Sequence, residues 1–353
     1  MSRTVRLTIL PGDGIGPEVT DAAISVLTAV APDAGLSLAI DRCPFGGAGI
    51  DATGNPLPEQ TLKSCVSADA ILLGAVGGPK YDEAARHQGA PRPEQGLLGL
   101  RKELELFANL RPSKLFEGLE AASPLRRDIV ADTDILIVRE LTGGVYFGDH
   151  REGTDVASDI MPYSREEVDR VARVAFEAAK GRNGRLTSVD KANVLATSRL
   201  WRAVVDDVAK DYPTVTVDHV LVDAMAMHLV TKPASFDVVV TENLFGDILS
   251  DELSAIVGSI GLAPSASLGT PDTPGLFEPI HGSAPDIAGQ GIANPIGTIL
   301  SAAMLLRHGL KADAAAERIE TAVSTVLKQG LRTKDLGGDA DTAAATSAIL
   351  AAL

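Results

Sequence analysis

Short apolar runs alternate with longer segments of helical periodicity along most of the chain, and this alternation limits the possible folds more than any other feature. Apolar runs with strand character occupy residues 5–10, 70–73, 128–138, 186–189 and 236–241. Apolar residues recur every three or four positions in residues 166–180, 194–210, 295–308 and 314–327. Strands that alternate with helices predict an α/β fold with a mainly parallel sheet covered on both faces. The 353 residues suffice for two domains or one large α/β unit.

The chain opens with a strand, a glycine turn and a helix. The turn reads Pro11-Gly12-Asp13-Gly14-Ile15-Gly16-Pro17-Glu18, and helical periodicity starts at Val19. A G-x-G-x-x-G dinucleotide fingerprint would need glycine at position 17, where this chain has proline. The sequence therefore argues against a Rossmann fingerprint. Two later stretches rich in glycine and proline, residues 74–99 and 261–291, have the length of binding loops.

Composition excludes several classes of partner. The chain has 32 basic and 47 acidic residues, a net charge of −15, and only 4% aromatic residues. An acidic protein with few aromatic rings is unsuited to binding nucleic acid or an anionic membrane. Cys43 and Cys65 form no CxxC motif, which favours buried thiols in a reducing compartment. Because we find no signal peptide and no apolar run of transmembrane length, we expect a cytoplasmic protein.

Two aspartates lie four residues apart directly after an apolar run. A helix that starts there would place Asp247 and Asp251 on one face, where like charges repel. A divalent cation bound by oxygen ligands would compensate for this repulsion. An isolated D-x-x-x-D motif is more commonly a solvated acidic helix face, so the rest of the chain must decide.

Three arginines in an acidic protein form a candidate anion site: Arg101, Arg111 and Arg139. Arg139 ends an apolar strand, where ligand sites form in open α/β sheets. A guanidinium group can hold a carboxylate with two parallel hydrogen bonds. Any one of them alone is more commonly a surface ion pair, but three together indicate a clamp for a dicarboxylate.

Further polar residues follow predicted strands. Tyr146, in a glycine-rich segment, is a candidate proton donor or a core tyrosine. Lys191 is a candidate base or a surface lysine, and Asp223 a candidate helix N-cap. In the polar loop of residues 278–289, Asp286 could accept a hydrogen bond from a ribose 2′-hydroxyl and would repel a 2′-phosphate.

Taken together and in order, these motifs resemble the metal-dependent β-decarboxylating dehydrogenases, the isocitrate/isopropylmalate dehydrogenase family. The resemblance runs from Pro11 to Pro295. Isocitrate enzymes carry a serine and an asparagine in the stretch of residues 94–112. Here Leu97 and Leu98 offer apolar surface, which is similar to the isopropylmalate branch. Burying the three carbons of an isopropyl group there would contribute about 2 kcal/mol, whereas an unpaired carboxylate would be strongly disfavoured.

The resemblance implies roles for individual residues. Arg101, Arg111 and Arg139 would hold the malate carboxylates, and Tyr146 and Lys191 would be the catalytic pair. Asp223, Asp247 and Asp251 would bind Mg²⁺ or Mn²⁺, with Asp223 also contacting substrate. Asp286 and Ile287 stand where NADP-dependent relatives use lysine and tyrosine, which implies NAD as the cofactor. The implied cofactor-binding residues are Gly78, Glu94, His281, Gly282, Ser283, Ala284, Asp286, Ile287 and Asn294.

The family fold is a two-domain α/β fold with a mainly parallel sheet flanked by helices and a non-Rossmann NAD site. The resemblance implies an NAD-binding domain made of residues 1–106 and 260–353. Residues 107–259 would form the domain for substrate, metal and dimerisation. It also implies a homodimer in which Lys191 and Asp223 enter the partner's active site.

The expected reaction is oxidative decarboxylation of 3-isopropylmalate to 4-methyl-2-oxopentanoate and CO₂, with reduction of NAD⁺, in leucine biosynthesis. A sibling enzyme acting on D-malate, tartrate or homoisocitrate is the nearest alternative. A regulatory homologue would have lost a catalytic or metal residue, and none is missing. A metal-dependent hydrolase would leave the arginines and the loop at His281 without a purpose.

Overall fold

The computed structural model describes residues 2–353, except for the side chains of residues 86–88. The strands are β1 (Arg3–Gly12), β2 (Leu36–Arg42), β3 (Ala70–Ala75), β4 (Ala108–Lys114), β5 (Asp134–Glu140), β6 (His150–Arg151), β7 (Ser158–Asp159), β8 (Arg185–Asp190), β9 (Thr216–Leu221), β10 (Val238–Thr241), β11 (Pro264–Leu268) and β12 (Gly275–Pro279).

Thirteen α-helices occur in the described part of the chain. They are α1 (Gly16–Val30), α2 (Gly47–Thr53), α3 (Glu59–Ser67), α4 (Pro79–Gln88), α5 (Pro93–Glu103), α6 (Arg127–Val130), α7 (Arg165–Lys180), α8 (Ala196–Ala209), α9 (Val222–Thr231), α10 (Asn243–Ile256), α11 (Ile296–Met304), α12 (Asp313–Lys328) and α13 (Thr342–Ala352). A π-helical turn, Leu305–Gly309, follows α11 directly. No described helix is both long and apolar enough to cross a membrane.

The first compact unit is built from both ends of the chain. It comprises the described part of Met1–Glu105 together with Phe116–Ala122 and Gly258–Leu353. Its strands lie in the order β2-β1-β3-β12-β11, and all neighbours are parallel except β11 and β12. All six residues of β3 are buried, so both faces of the sheet are covered. Helix α1 packs against α11 and α13.

The second compact unit comprises Leu106–Leu115 and Ser123–Val257. Its strands lie in the order β4-β5-β10-β8-β9, with β4 antiparallel to β5 and the others parallel. Val239 of β10 belongs to a core cluster with residues of α9 and α10, while α7 packs against β5 and β10. Helix α7 begins at a capping box in which Ser164 and Glu167 satisfy each other's backbone N–H groups. The mainly parallel α/β fold predicted from the sequence is confirmed.

The glycine turn after β1 is tightly packed. A Cβ atom at Gly16 would lie 2.0 Å from the Pro11 carbonyl oxygen, and Gly14 has φ +57°. Directly before Gly14, Asp13 is buried, and its carboxylate accepts hydrogen bonds from the N–H groups of Gly47, Ala48 and Gly77, at 2.8, 2.8 and 2.9 Å. Asp13 therefore fixes the loops around it, a role that the sequence did not indicate.

Several predicted boundaries were wrong. The strand expected over residues 128–138 begins only at Asp134, because Arg127–Val130 is helical and Asp132 adopts a left-handed conformation at φ +62°. The stretch 74–99 contains α4 and the start of α5, and the stretch 261–291 contains β11 and β12. Neither is a structureless loop.

Candidate active site

Helix α10 carries both aspartates of the D-x-x-x-D motif at the carboxyl end of β10. Glu242 caps the helix, since its carboxylate accepts hydrogen bonds from the N–H groups of Leu244 and Phe245, at 3.0 and 2.8 Å. The side chains of Asp247 and Asp251 are 35% and 53% exposed. The helix therefore presents two carboxylates at an accessible edge of the second unit.

Arg139, near the end of β5, reaches α10 with its whole guanidinium group. Its Nη1 donates to Asp247 Oδ1 at 2.5 Å, and its Nε and Nη2 donate to Asn243 Oδ1 at 3.1 and 2.8 Å. The side chain is only 2% exposed. A Cβ atom at Gly246 would lie 2.6 Å from Arg139 Cγ, so the helix can approach this arginine only because it has glycine there.

Arg111, on β4, contacts the same helix. Its Nη1 donates to Ser250 Oγ at 2.6 Å and to Asp247 Oδ1 at 3.2 Å, and it lies 3.7 Å from Asp251 Oδ1. Burial raises the pKa of Asp251, while Arg111 acts in the opposite direction. Two arginines therefore compensate for the repulsion between the aspartates, alongside any cation that binds there.

Tyr146 completes this cluster from the turn Gly144–Tyr146 that follows β5. Its hydroxyl donates to Asp247 Oδ2 at 2.5 Å, and the Arg139 guanidinium lies 5.3 Å from the ring centroid. Burial and the hydrogen bond to Asp247 raise the pKa of Tyr146. The phenol is therefore protonated at neutral pH and can act as an acid.

Lys191 and Asp223 form a separate exposed pair. Lys191 follows β8 and Asp223 lies in the first turn of α9, and their side chains meet at 2.5 Å between Nζ and Oδ1. The hydrogen bond from Lys191 lowers the pKa of Asp223. The described residues of a single chain contain no group of three His, Cys, Asp or Glu side chains that could hold a metal ion. Asp223 thus does not join Asp247 and Asp251 in a single chain.

Arg101 lies in the first unit, in the last turn of α5. Its Nη2 donates to Glu278 Oε1 at 2.8 Å, and its buried Nε has no hydrogen-bond partner. Leu97 and Leu98, on the same helix, are half-buried. The structure therefore places an arginine and an apolar surface together on α5.

The loop of residues 281–294, here called the cofactor loop, contains a buried histidine. His281 Nδ1 is hydrogen-bonded to the Gly282 carbonyl oxygen at 2.9 Å, while Nε2 is buried without a partner. Burial lowers the pKa of His281, so the imidazole is neutral at pH 7. Its unpartnered nitrogen is suited to a polar group of a ligand.

Other residues of the cofactor loop pack against the glycine turn. The Ser283 carbonyl oxygen accepts from the Ile15 N–H at 2.8 Å, and Ile287 packs in a small cluster with Ile15 and Val19. Ala284 has φ +39°, and Asp286 is exposed. The loop is thereby fixed at one side and open at the other.

Asn294, Glu94 and Gly78 are placed by separate contacts in the same unit. Asn294 donates through Nδ2 to Asp335 Oδ2 at 3.0 Å, and its Oδ1 accepts from the Ile296 N–H. Glu94 lies in the first turn of α5, near Gly77, whereas Gly78 precedes α4.

Sequence reasoning missed four polar residues that shape the cluster: Asn109, Glu140, Tyr163 and Asn243. Asn109 Oδ1 accepts from Arg111 Nε at 2.6 Å. Asn243 holds Arg139, and a signal for it was present, because residues 243, 247 and 251 share one helical face at intervals of four. Buried Asn109 and Glu140 and half-buried Tyr163 are hydrogen-bonding partners without a periodic pattern.

The comparisons with known proteins agree with this geometry. A family model described as isocitrate/isopropylmalate dehydrogenase matches residues 6–353. The chain belongs to the isocitrate/isopropylmalate dehydrogenase family. The resemblance stated from the motifs is thus confirmed.

Relatives of this family are similar over nearly the whole chain. A 3-isopropylmalate dehydrogenase from Streptococcus thermophilus (strain CNRZ 1066) is 55% identical and covers 99% of this chain and 100% of its own length. One from Zymomonas mobilis subsp. mobilis is 56% identical at the same coverage. Among solved structures, isocitrate dehydrogenase from Methylococcus capsulatus has a TM-score of 0.88 at 38% identity, covering 99% of both chains. A β-decarboxylating dehydrogenase from Thermococcus kodakarensis has a TM-score of 0.80 at 39% identity, covering 99% of this chain and 96% of its own.

Proposed function

We propose that this protein oxidatively decarboxylates 3-isopropylmalate to 4-methyl-2-oxopentanoate and CO₂, with reduction of NAD⁺, in leucine biosynthesis. The observation that carries the proposal is the cluster in which Arg111, Arg139 and Tyr146 all contact Asp247. It combines cationic donors for a carboxylate, an acid and hard oxygen ligands. Relatives named 3-isopropylmalate dehydrogenase at 55–56% identity support the choice of substrate.

The arginines and the leucines would bind different parts of the substrate. Arg111 and Arg139, with Arg101 from α5, would bind its carboxylates, and Leu97 and Leu98 would contact its isopropyl group. A third carboxylate in place of that group would meet apolar carbon and lose its hydration without a partner. This arrangement favours isopropylmalate over isocitrate.

The aspartates fit a divalent cation in their chemistry. Carboxylate oxygens are the ligands that Mg²⁺ and Mn²⁺ prefer, and Asp247 and Asp251 supply them from one helix. Asp223 of a second subunit would complete the set. A bound cation would supply electrostatic stabilisation of negative charge on the substrate oxygens.

The chain's own residues would move two protons. Lys191 would act as the base that takes the proton of the C2 hydroxyl as the hydride leaves C2. After CO₂ is lost, Tyr146 would donate its phenolic proton to C3. The raised pKa of Tyr146 keeps that proton available across the neutral range.

The cofactor loop fits NAD, which would supply the hydride acceptor. The unpartnered His281 Nε2 and the small residues beside it, Gly282, Ser283 and Ala284, leave room for a polar ligand. Exposed Asp286 would bind a 2′-hydroxyl and repel a 2′-phosphate, so NAD is favoured over NADP. We assign NAD binding to the unit formed by both ends of the chain, and substrate, metal and dimer contacts to the other.

A homodimer explains the apolar surface of α9 and α10. Met227, Val230 and Ile248 on these helices are 62%, 42% and 59% exposed, an arrangement that a second copy would cover. The exposed Lys191–Asp223 pair could then enter the partner's site. The buried free thiols of Cys43 and Cys65 are consistent with the cytoplasm, where we place the protein.

An assay of NAD reduction with racemic 3-isopropylmalate, with and without EDTA, tests the proposal. We expect NADH formation that EDTA abolishes and Mg²⁺ or Mn²⁺ restores, with much lower kcat/KM for isocitrate, D-malate and tartrate. NADP should be a poor substitute for NAD. Absence of NADH formation from 3-isopropylmalate with metal present, or a higher kcat/KM for another of these acids, would refute it.

A further inference from the structure

Two buried carboxylates meet one tyrosine behind the catalytic cluster. Glu140 is the last residue of β5 and Glu242 directly follows the neighbouring parallel strand β10, and both are at most 4% exposed. The Tyr163 hydroxyl lies 3.1 Å from Glu140 Oε2 and 3.4 Å from Glu242 Oε2, so the two acceptors share its single proton. The same oxygen accepts from the Asn243 N–H at 3.0 Å.

Each carboxylate organises a different catalytic segment. Glu140 accepts from the N–H groups of Thr142 and Gly143, at 2.9 and 2.8 Å, directly before the turn that carries Tyr146. Glu242 caps α10, the helix that carries Asp247 and Asp251.

The tyrosine ring also contacts the loop before Tyr146. A Cβ atom at Gly143 would lie 2.7 Å from Tyr163 Cε1, and one at Gly144 would lie 2.6 Å from the Tyr163 hydroxyl. The Trp201 ring packs against Tyr163 edge to face, with centroids 5.9 Å apart. Tyr163 is therefore held on both sides and can fix the position of the glycine loop.

The electrostatics agree with this geometry. Burial raises the pKa of Glu140 and of Glu242, and in each the hydrogen bond from Tyr163 acts in the opposite direction. Burial and the two carboxylates raise the pKa of Tyr163, so it remains a proton donor. Without the hydroxyl, both carboxylates would lose a donor in a buried site.

We propose that Tyr163 is a positioning residue for the decarboxylating reaction. Through Glu140 and Glu242 it holds the loop of Tyr146 and the start of α10 in register, so that the Tyr146 hydroxyl meets Asp247. Tyr163 does not touch the reacting atoms. The inference rests on the proposed function, because its readout is turnover of 3-isopropylmalate.

The substitution Tyr163→Phe removes the shared donor and keeps the ring. We expect kcat to fall by about 10- to 100-fold, as for a small misplacement of an acid, while KM for NAD changes by less than about twofold. The ratio of kcat in H₂O to kcat in D₂O should rise above that of the wild type, because proton transfer from a misplaced Tyr146 becomes slower. A mere loss of folded enzyme would leave this ratio unchanged.

Tyr212→Phe is the matched control. Tyr212 stacks on Phe176, away from the cluster, with ring centroids 5.0 Å apart, and burial and Glu177 raise its pKa. It should retain wild-type kcat. If Tyr163→Phe fails to fold, Glu140→Gln replaces it and should give the same pattern.

The outcomes separate the two proposals. A wild-type protein without activity on 3-isopropylmalate contradicts the proposed function. An active wild type together with a Tyr163→Phe variant of unchanged kcat, or one with lower kcat and an unchanged isotope ratio, overturns the positioning role alone.

Discussion

Asp247 is the residue on which the cluster converges, because both of its oxygens accept hydrogen bonds from chemically different donors. Arg139 and Arg111 approach Oδ1, and Tyr146 approaches Oδ2. The carboxylate thus raises the pKa of Tyr146 while it balances two buried cations. Asp247 therefore adds to the effect of burial on the pKa of Tyr146 and also offsets the charge of the arginines.

Lys191 supplies a test at the scale of a single residue. Lys191→Met should lower kcat by about 10²- to 10⁴-fold, because a general base is lost, while the fold is retained. Steady-state kinetics together with circular dichroism would measure this. Lys210→Met, which removes an exposed lysine paired with Asp207, should leave kcat unchanged. Wild-type turnover by Lys191→Met would remove this lysine from the mechanism.

The candidate residues that the sequence singled out are those with informative spacing or a position after a strand. Asp247 and Asp251 are four residues apart, which is the spacing of one helical face, and Arg139 ends an apolar run. Glu140, Glu242 and Tyr163 were missed because their importance comes from burial and mutual contact, which no local pattern reports. That Arg101 pairs with Glu278, 177 positions away, was equally invisible.

At the scale of elements, α10 can approach β5 only through Gly246. Gly246→Ala should destabilise the protein by about 1–3 kcal/mol, since the added methyl group would overlap Arg139 Cγ. Urea unfolding measures this change. Gly99→Ala in α5 is the matched control, because its Cβ would meet only Leu57 Cδ2 at an ordinary 3.5 Å. That variant should be neutral or more stable by about 0.4–1 kcal/mol. Equal stabilities for the two variants would contradict the packing argument.

Element prediction succeeded where periodicity was long and failed where it was short. The helix expected over residues 166–180 is α7, and that over 314–327 is α12, each to within one residue at either end. Strands β2 and β9 were missed because they lie at sheet edges and are mostly exposed or half-buried, which weakens an apolar pattern. These two strands form because they pair with β1 and β8, and their own sequence pattern does not predict them.

At the scale of the whole molecule, shared active sites in a homodimer predict complementation. Lys191→Met and Asp247→Asn chains should each be nearly inactive alone. When the two chains are co-expressed, about half of the dimers should contain one chain of each kind. Each mixed dimer would have one intact active site of its two, so activity should recover to about one quarter of the wild type. Kinetics on the purified mixture measure this. No recovery would indicate that Lys191 and Asp247 of the same chain serve one site.

His308 couples the stability of the whole protein to pH. Burial, with Arg307 and Lys311, lowers the pKa of His308 from 6.5 to about 4. Between these values the unfolded chain binds a proton that the folded protein does not. The free energy of unfolding should therefore fall as the pH is lowered, by about 2 kcal/mol from this group between pH 7 and pH 5.

Urea unfolding of His308→Gln at both pH values checks this coupling. The variant should lose about 2 kcal/mol less than the wild type between pH 7 and pH 5. His150→Gln, which changes an exposed histidine, should behave like the wild type. An identical pH response in His308→Gln would show that other groups cause the loss.

The first compact unit joins β1 and α1 to strands and helices that come after Gly258. During synthesis, the ribosome therefore releases β3 long before its sheet neighbour β12 exists. At typical elongation rates the roughly 200 residues between β3 and β12 take on the order of ten seconds to appear. Over that interval the apolar residues of β1 and β3 are available to chaperones. The second unit consists of nearly contiguous residues, so it can fold before the first unit is complete.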